Sequence, residues 1–232
     1  PPGMTGEEID QMIRCAEITG TPNQVAFNRR YMPLLARLRE MLAERFAPGE
    51  IHHLTYDFCR IGRTDPDFST TAVHGIDAAR FIIGSDYNTV RFHYRELSQF
   101  GPSVANFLMD CTFQSGATAQ LNFCPVAGLV IERAEVHAPG HSFFLHTPIW
   151  SGFDYPGELT HVENGSVIEH ITGIDLTGSK EDYILNGFYQ EDVAFFEDIR
   201  HGRRPDGNIA SGRQSVVIAQ AIRERREVLQ FA

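Results

Sequence analysis

Apolar positions along this chain recur with two different periods. Ile9, Met12, Ile13 and Ala16 follow helical spacing behind Thr5-Gly6-Glu7-Glu8, a capping box, and Gly20 ends the run. Gln24-Val25-Ala26-Phe27 reads as a short strand. Pro33 suits the first turn of a second helix with the stripe Leu34, Leu35, Leu38, Met41 and Leu42, stopped at Pro48-Gly49. From Ile51 to Cys59 the period drops to two: Leu54, Tyr56 and Phe58 share one face, and His53, Thr55 and Asp57 the other. A third helix fits Thr70 to Ile83, with Gly84 as its left-handed terminator.

From Thr89 to Ile171 the pattern is β. Val90 to Leu97, Ala105 to Phe113, Ala117 to Cys124 and Leu129 to Val136 are predicted strands, and Asn164-Gly165 is a hairpin signal because both residues accept positive φ. Pro148 to Pro156 is aromatic and irregular, a loop over the sheet. Helices return at Phe188 to His201, with Val193, Phe196 and Ile199, and at Ser211 to Leu229, with Val216, Ile218, Ala219 and Ile222. Segregated runs of this kind predict an α+β fold: a large, mainly antiparallel sheet with helices on one face. Phe107, Met109, Cys111 and Phe113 would be too apolar for open water, so a second subunit is expected on the other face of the sheet.

Composition narrows the function. With 232 residues, 42% hydrophobic and 22% charged, the chain can bury a core without disulfides or metal. A formal net charge of −10 argues against a nucleic-acid partner. No apolar run reaches membrane-span length and the first residues lack signal-peptide features, so the expectation is a cytoplasmic protein with no membrane partner. Cys15, Cys59, Cys111 and Cys124 form no C-x-x-C pair and are expected to be free, buried thiols.

No Gly-rich dinucleotide fingerprint, nucleophile elbow or zinc-protease motif is present. His137, His141 and His146 are separated by a turn, and His52 and His53 point to opposite faces of a strand, so no metal site is expected. A metal-dependent lyase built on the first three is the remote alternative. The best constellation is Thr70, His74 and Asp77, which stack on one helical face. An imidazole there could donate or accept a proton near neutral pH. Arg29-Arg30 could bind an anion or be ion-paired structure. Lys180, the chain's one lysine, sits in a polar loop.

Four segments in order resemble the Gfo/Idh/MocA oxidoreductase family. Val25-Ala26-Phe27-Asn28-Arg29-Arg30-Tyr31-Met32-Pro33 resembles its v-g-f-n-R-R-f-x-P segment. Ala72 to Gly84 resembles its g-x-H-x-i-D-x-x-r-w-l-l-G helix, Phe113 to Ala119 its f-x-x-G-a-x-a hairpin, and Glu191 to Pro205 its closing F-x-x-a-i-r-x-g-r-x-P. The resemblance implies a chain matching the C-terminal substrate and dimerisation domain (31–232), preceded by the last helix and strand of a Rossmann domain (1–30). It implies, too, a fragment beginning at Pro1-Pro2 about where the family's Glu-Lys-Pro proline would fall, with the family's catalytic lysine expected upstream. It further implies an intact parent that uses NAD or NADP to exchange hydride with a carbinol carbon of a sugar or polyol. His74 would be catalytic, with Thr70, Asn28, Arg30 and Asp77 binding substrate. This part alone would be inactive and hold no cofactor. It would form a dimer or tetramer through the sheet face and take a small sugar-like substrate. Thr70 stands where the family usually has an Asp, and a hydroxyl cannot serve as a carboxylate base. The alternative is therefore a non-catalytic dimerising or ligand-binding module.

Overall fold

The computed structural model describes residues 2–65 and 67–231; Pro1, and with it the expected family position of that residue, lies outside them. Among the described residues seven α-helices and nine strands follow one another: α1 (Gly6–Thr19), α2 (Pro33–Arg45), β1 (His53–Cys59), α3 (Ser69–Ile83), β2 (Tyr87–Glu96), β3 (Ala105–Phe113), β4 (Thr118–Cys124), β5 (Ile131–Ala138), β6 (His141–His146), β7 (Glu158–Glu163), β8 (Ser166–Thr172), α4 (Gly173–Thr177), α5 (Asp182–Leu185), α6 (Phe188–Arg200), α7 (Arg213–Arg223) and β9 (Val228–Gln230). The strands form one sheet in the order β8-β7-β6-β5-β1-β4-β3-β2-β9. Only β1 and β4 run parallel among its pairs. The expected α+β architecture is what the chain adopts.

Alternation decides which sheet face the helices cover. Leu54, Tyr56 and Phe58 of β1 are fully buried, while His53, Thr55 and Asp57 remain half-exposed. Helix α3 lies directly on this surface. At Gly75 a Cβ would come within 2.8 Å of Phe58 and 3.0 Å of Phe123, so only a glycine lets the helix sit this low. The five apolar residues of the α2 stripe are all buried. Gly84 takes φ 69° at the end of α3, and Asn164-Gly165 takes φ 47° and 85° between β7 and β8, as their sequence roles require.

Five expectations need correction. The apolar face of β3 (Phe107, Met109, Cys111, Phe113) is buried under the chain's own helices, not left for a second subunit. The open face instead carries polar pairs such as Asn122 to Asp57 and Gln120 to Asp110. Gln24 to Phe27 joins no sheet, because a strand needs a neighbour: the Val25 amide finds only the Gly207 carbonyl, at 2.8 Å, and the Phe27 amide turns back onto the Val25 carbonyl, at 2.7 Å. Val193, Phe196 and Ile199 of α6 are exposed rather than packed. The last helix stops at Arg223, and its expected C-terminal part turns at Arg225 (φ 53°) into edge strand β9. Of the four expected buried thiols only Cys111 is buried; Cys15 is exposed and Cys59 and Cys124 are half-buried, and all four are free.

Segment 2–30 rests on the rest of the chain. The Gly6 amide donates to Gln220 of α7 at 2.9 Å and Asp10 pairs with Arg213. Val25 and Phe27 share a small core with Val73 and Ala219. No helix among the described residues is long and apolar enough to cross a membrane.

Candidate active site

A cleft of about 620 Å³ opens where the 24–29 segment, the middle of α3 and the start of α6 converge. His74 projects into it from α3, next to Gln24, Phe27, Asn28, Arg29, Trp150 and Phe188. The edge of the His74 ring meets the Phe27 ring, with centroids 5.9 Å apart. Its Nδ1 is buried and has no hydrogen-bond partner. Burial first, and the positive charge of Arg29 second, push its pKa down to about 3. In this chain His74 is therefore a neutral imidazole at physiological pH.

Arg29 is fixed from below by Glu132, which was not anticipated. Glu132 lies fully buried on the helix face of β5 and takes Arg29 at 2.6 and 3.2 Å, Arg60, and the Tyr56 hydroxyl at 2.9 Å. Burial raises its pKa, but the charges of Arg29 and Arg60 outweigh that and hold it at about 2. The signal was available: Glu132 shares its strand face with Ala134 and Val136, so a carboxylate there has to find a buried cation.

Asn28 is equally committed. Its amide donates to the Asn186 carbonyl at 2.8 Å and accepts from Arg29 at 2.8 Å. The side chain of Asn186 in turn donates to the carbonyls of Pro148 and Asp182 at 2.9 and 3.0 Å. These bonds tie the floor of the cleft to the loop that carries Trp150. Gly187 permits the approach. It has φ 80°, and a Cβ there would lie 2.6 Å from the Asn28 carbonyl and 2.5 Å from the Met32 amide.

Arg30 and Asp77 meet each other instead of the cleft. Arg30 forks onto Asp77 at 2.6 and 2.7 Å and reaches the Ser211 hydroxyl at 2.9 Å; Ser215 donates to the same carboxylate at 3.2 Å. The pair clamps α3 to the Asn28–Tyr31 turn and α7, and Arg30 faces a separate groove with Arg39 and Arg80. Thr70 donates its hydroxyl to the Asp67 carbonyl at 2.9 Å, one helical turn before His74. Asp67 caps the start of α3 through the Ser69 amide at 3.0 Å and pairs with Arg223; Asp65 pairs with Arg63. Neither acid takes over the place Thr70 holds. Glu191, at the start of α6, is almost fully buried with one carboxylate oxygen unpartnered. Burial and Asp192 push its pKa up to about 7 against the pull of Arg29 and Arg30.

No cluster of His, Cys, Asp or Glu among the described residues could hold a metal ion. The usual dinucleotide-binding unit is not found among the described residues. The lone parallel pair, β1 and β4, is linked through α3 and two further strands rather than through a βαβ unit, and no Gly-rich loop opens a helix.

No family model matches the sequence, and no curated protein does. Solved structures do, and they are Gfo/Idh/MocA-type oxidoreductases. An aldose-aldose oxidoreductase from Caulobacter crescentus, complexed with glycerol, superposes with a TM-score of 0.77 at 16% identity over 99% of this chain and 70% of that one. A levoglucosan dehydrogenase in complex with NADH and levoglucosan gives 0.77 at 19% identity over 98% and 71%. An oxidoreductase from Agrobacterium radiobacter in complex with NAD+, L-tartaric acid and magnesium gives 0.75 at 15% identity over 99% and 71%. At these identities the shared property is the fold, that of the sheet-bearing C-terminal domain of these enzymes.

Proposed function

We propose that this chain is the substrate-binding domain of an NAD(P)-dependent oxidoreductase acting on a sugar or polyol, and that His74 positions the reacting hydroxyl. One observation carries the reading: a neutral imidazole with an unpartnered, shielded Nδ1 beside an open cleft, in a fold that sugar oxidoreductases share. Oxidising a carbinol removes a hydroxyl proton and a hydride, and a nicotinamide supplies the hydride acceptor when bound. On this reading the cofactor belongs to the nucleotide-binding half that the resemblance implies, and the chain by itself turns nothing over.

His74, neutral, can accept the hydroxyl hydrogen at its unprotonated ring nitrogen. Keeping the proton would create an imidazolium in an enclosed site beside the Arg29 charge, which that site opposes. His74 therefore orients and polarises the hydroxyl, and the proton passes on to a second group, the role that the family resemblance gives to the Glu-Lys-Pro lysine. Thr70, one turn away, adds no negative charge that would change this balance. Asn28, with Arg29, shapes the floor, and the Arg30–Asp77 clamp sets the height of α3. Residues 2–30 serve as the join to the nucleotide-binding half, the open sheet face is the surface for homo-oligomer assembly, and the cytoplasm is the compartment.

Thr70 favours a second reading, a ligand-binding module without catalysis. Two measurements separate the readings. Titrating the chain with NADH or NADPH should show no binding; micromolar affinity would overturn the substrate-domain reading. Complementing the chain with a nucleotide-binding domain from one of the structural relatives should give sugar-dependent NAD(P)H formation that His74→Gln abolishes. Sugar binding with no turnover would leave the module.

A further inference from the structure

One wall of the cleft is built of aromatic rings. Trp150 is 62% exposed, yet its ring stacks on Phe188 with centroids 5.3 Å apart and planes 27° apart, and both rings line the cleft. Exposing so large an apolar ring forgoes burial that tryptophan normally gains. The backbone is bent to present it. Trp150 and Ser151 have φ of 51° and 52°, a left-handed conformation that bulky residues seldom take and that persists only where the surroundings enforce it. Here Asn186 accepts the Trp150 amide at 3.4 Å while Ser151 is bonded to Asp182.

Two buried polar atoms complete the picture. Nδ1 of His74 and Oε1 of Gln24 are both buried, both without a partner, and both belong to residues lining this cleft. Buried polar atoms left unbonded are costly unless a ligand supplies partners. An exposed aromatic face beside two unpartnered polar atoms suits a molecule with a flat C–H face and a rim of hydroxyls, which both donate and accept.

We propose that Trp150 and Phe188 form a stacking platform for a pyranose ring, whose rim hydroxyls reach Gln24 and His74; this rests on the substrate-domain reading above. The C–H bonds on one face of a pyranose carry positive partial charge and meet the negative face of the indole. An open-chain polyol offers no such face and loses more conformational freedom on binding.

Trp150 is the chain's only tryptophan, so its emission reports on the platform directly. The test titrates the chain with methyl glucopyranoside and with sorbitol, following Trp150 fluorescence and, by NMR, the His74 ring signals identified by their loss in His74→Gln. The pyranoside should change the emission saturably and bind about three- to tenfold more tightly than sorbitol. Trp150→Ala should erase that preference while sorbitol still moves the His74 signals, and Trp150→Phe should keep part of it. Equal affinities, or a Trp150→Ala chain that binds the pyranoside unchanged, with His74 responding in either case, would overturn the platform alone. No His74 response to either compound would overturn the platform and the substrate-domain reading together.

Discussion

Replacing Glu132 by Gln tests the scaffold beneath the cleft. The substitution keeps the side chain's shape and removes one negative charge that serves two buried guanidiniums and a phenol. Breaking a buried ion pair by deleting one partner costs about 3–5 kcal/mol, and with both Arg29 and Arg60 left uncompensated the upper end applies. The depressed pKa of Glu132 gives a second magnitude. Despite burial, the two arginines hold the Glu132 carboxyl at about 2 against an ordinary 4.5. A group whose folded pKa is depressed contributes stability above its unfolded pKa and loses it as pH falls toward the folded one. The linkage amounts to about 3 kcal/mol, present above pH ~4.5 and lost between there and pH ~2. Urea unfolding of both chains from neutral pH down to about pH 3 reads the difference. The gap should be about 3–5 kcal/mol at neutral pH and shrink by about 2 kcal/mol at pH ~3, since only the wild type has this proton to gain. Carboxylates common to both chains cancel in the comparison. A gap below about 1 kcal/mol, or one independent of pH, would refute the buried, charged assignment.

Two further substitutions probe the site itself. His74, lowered to about 3 mainly by burial, is neutral when folded and ordinary when unfolded, so acid favours the unfolded chain as pH falls from about 6.5 toward 3. His74→Gln should therefore gain about 3 kcal/mol relative to wild type between neutral pH and pH ~4, by urea unfolding; parallel pH profiles would show that His74 titrates freely. Gly187→Ala places a methyl 2.5 Å from the Met32 amide at a residue with φ 80°. It should cost about 2–4 kcal/mol and alter Trp150 emission as Phe188 shifts, whereas a loss under about 1 kcal/mol would mean that the contact yields.

Features set by local chemistry were legible in the sequence, and features set by distant partners were not. The two-residue alternation of β1, the α2 stripe, and the glycines at 84 and 165 each follow from a neighbourhood of a few residues, and each is in place. The α6 stripe had the same helical period, yet it is exposed, because periodicity shows that a helix has an apolar face and not what covers it. The Gln24-to-Phe27 run failed for a related reason: β propensity cannot supply the neighbouring strand. Strand β9 was lost inside an over-extended helix because Arg225 carries the reversal at positive φ without the glycine that would have marked it.

The site divides along the same line. His74 could be found from the spacing of one helix and from its resemblance to a known segment. Stacking on that helix also suggested that Asp77 would join it, but a carboxylate goes where charge is available. Arg30, 47 positions earlier, offers Asp77 a bidentate fork and burial, and the acid turns away from the cleft to meet it. Arg29 makes the same choice over a separation of 103 residues, at Glu132. With both arginines spent on carboxylates of the fold, the buried polar atoms left without a partner among the cleft residues are Nδ1 of His74 and Oε1 of Gln24. A cleft with bonded cations and unbonded polar atoms favours a ligand rich in hydroxyls over an anion. That is why the proposed ligand is a sugar or polyol, although Arg29-Arg30, read alone, looked equally able to hold a phosphate or carboxylate.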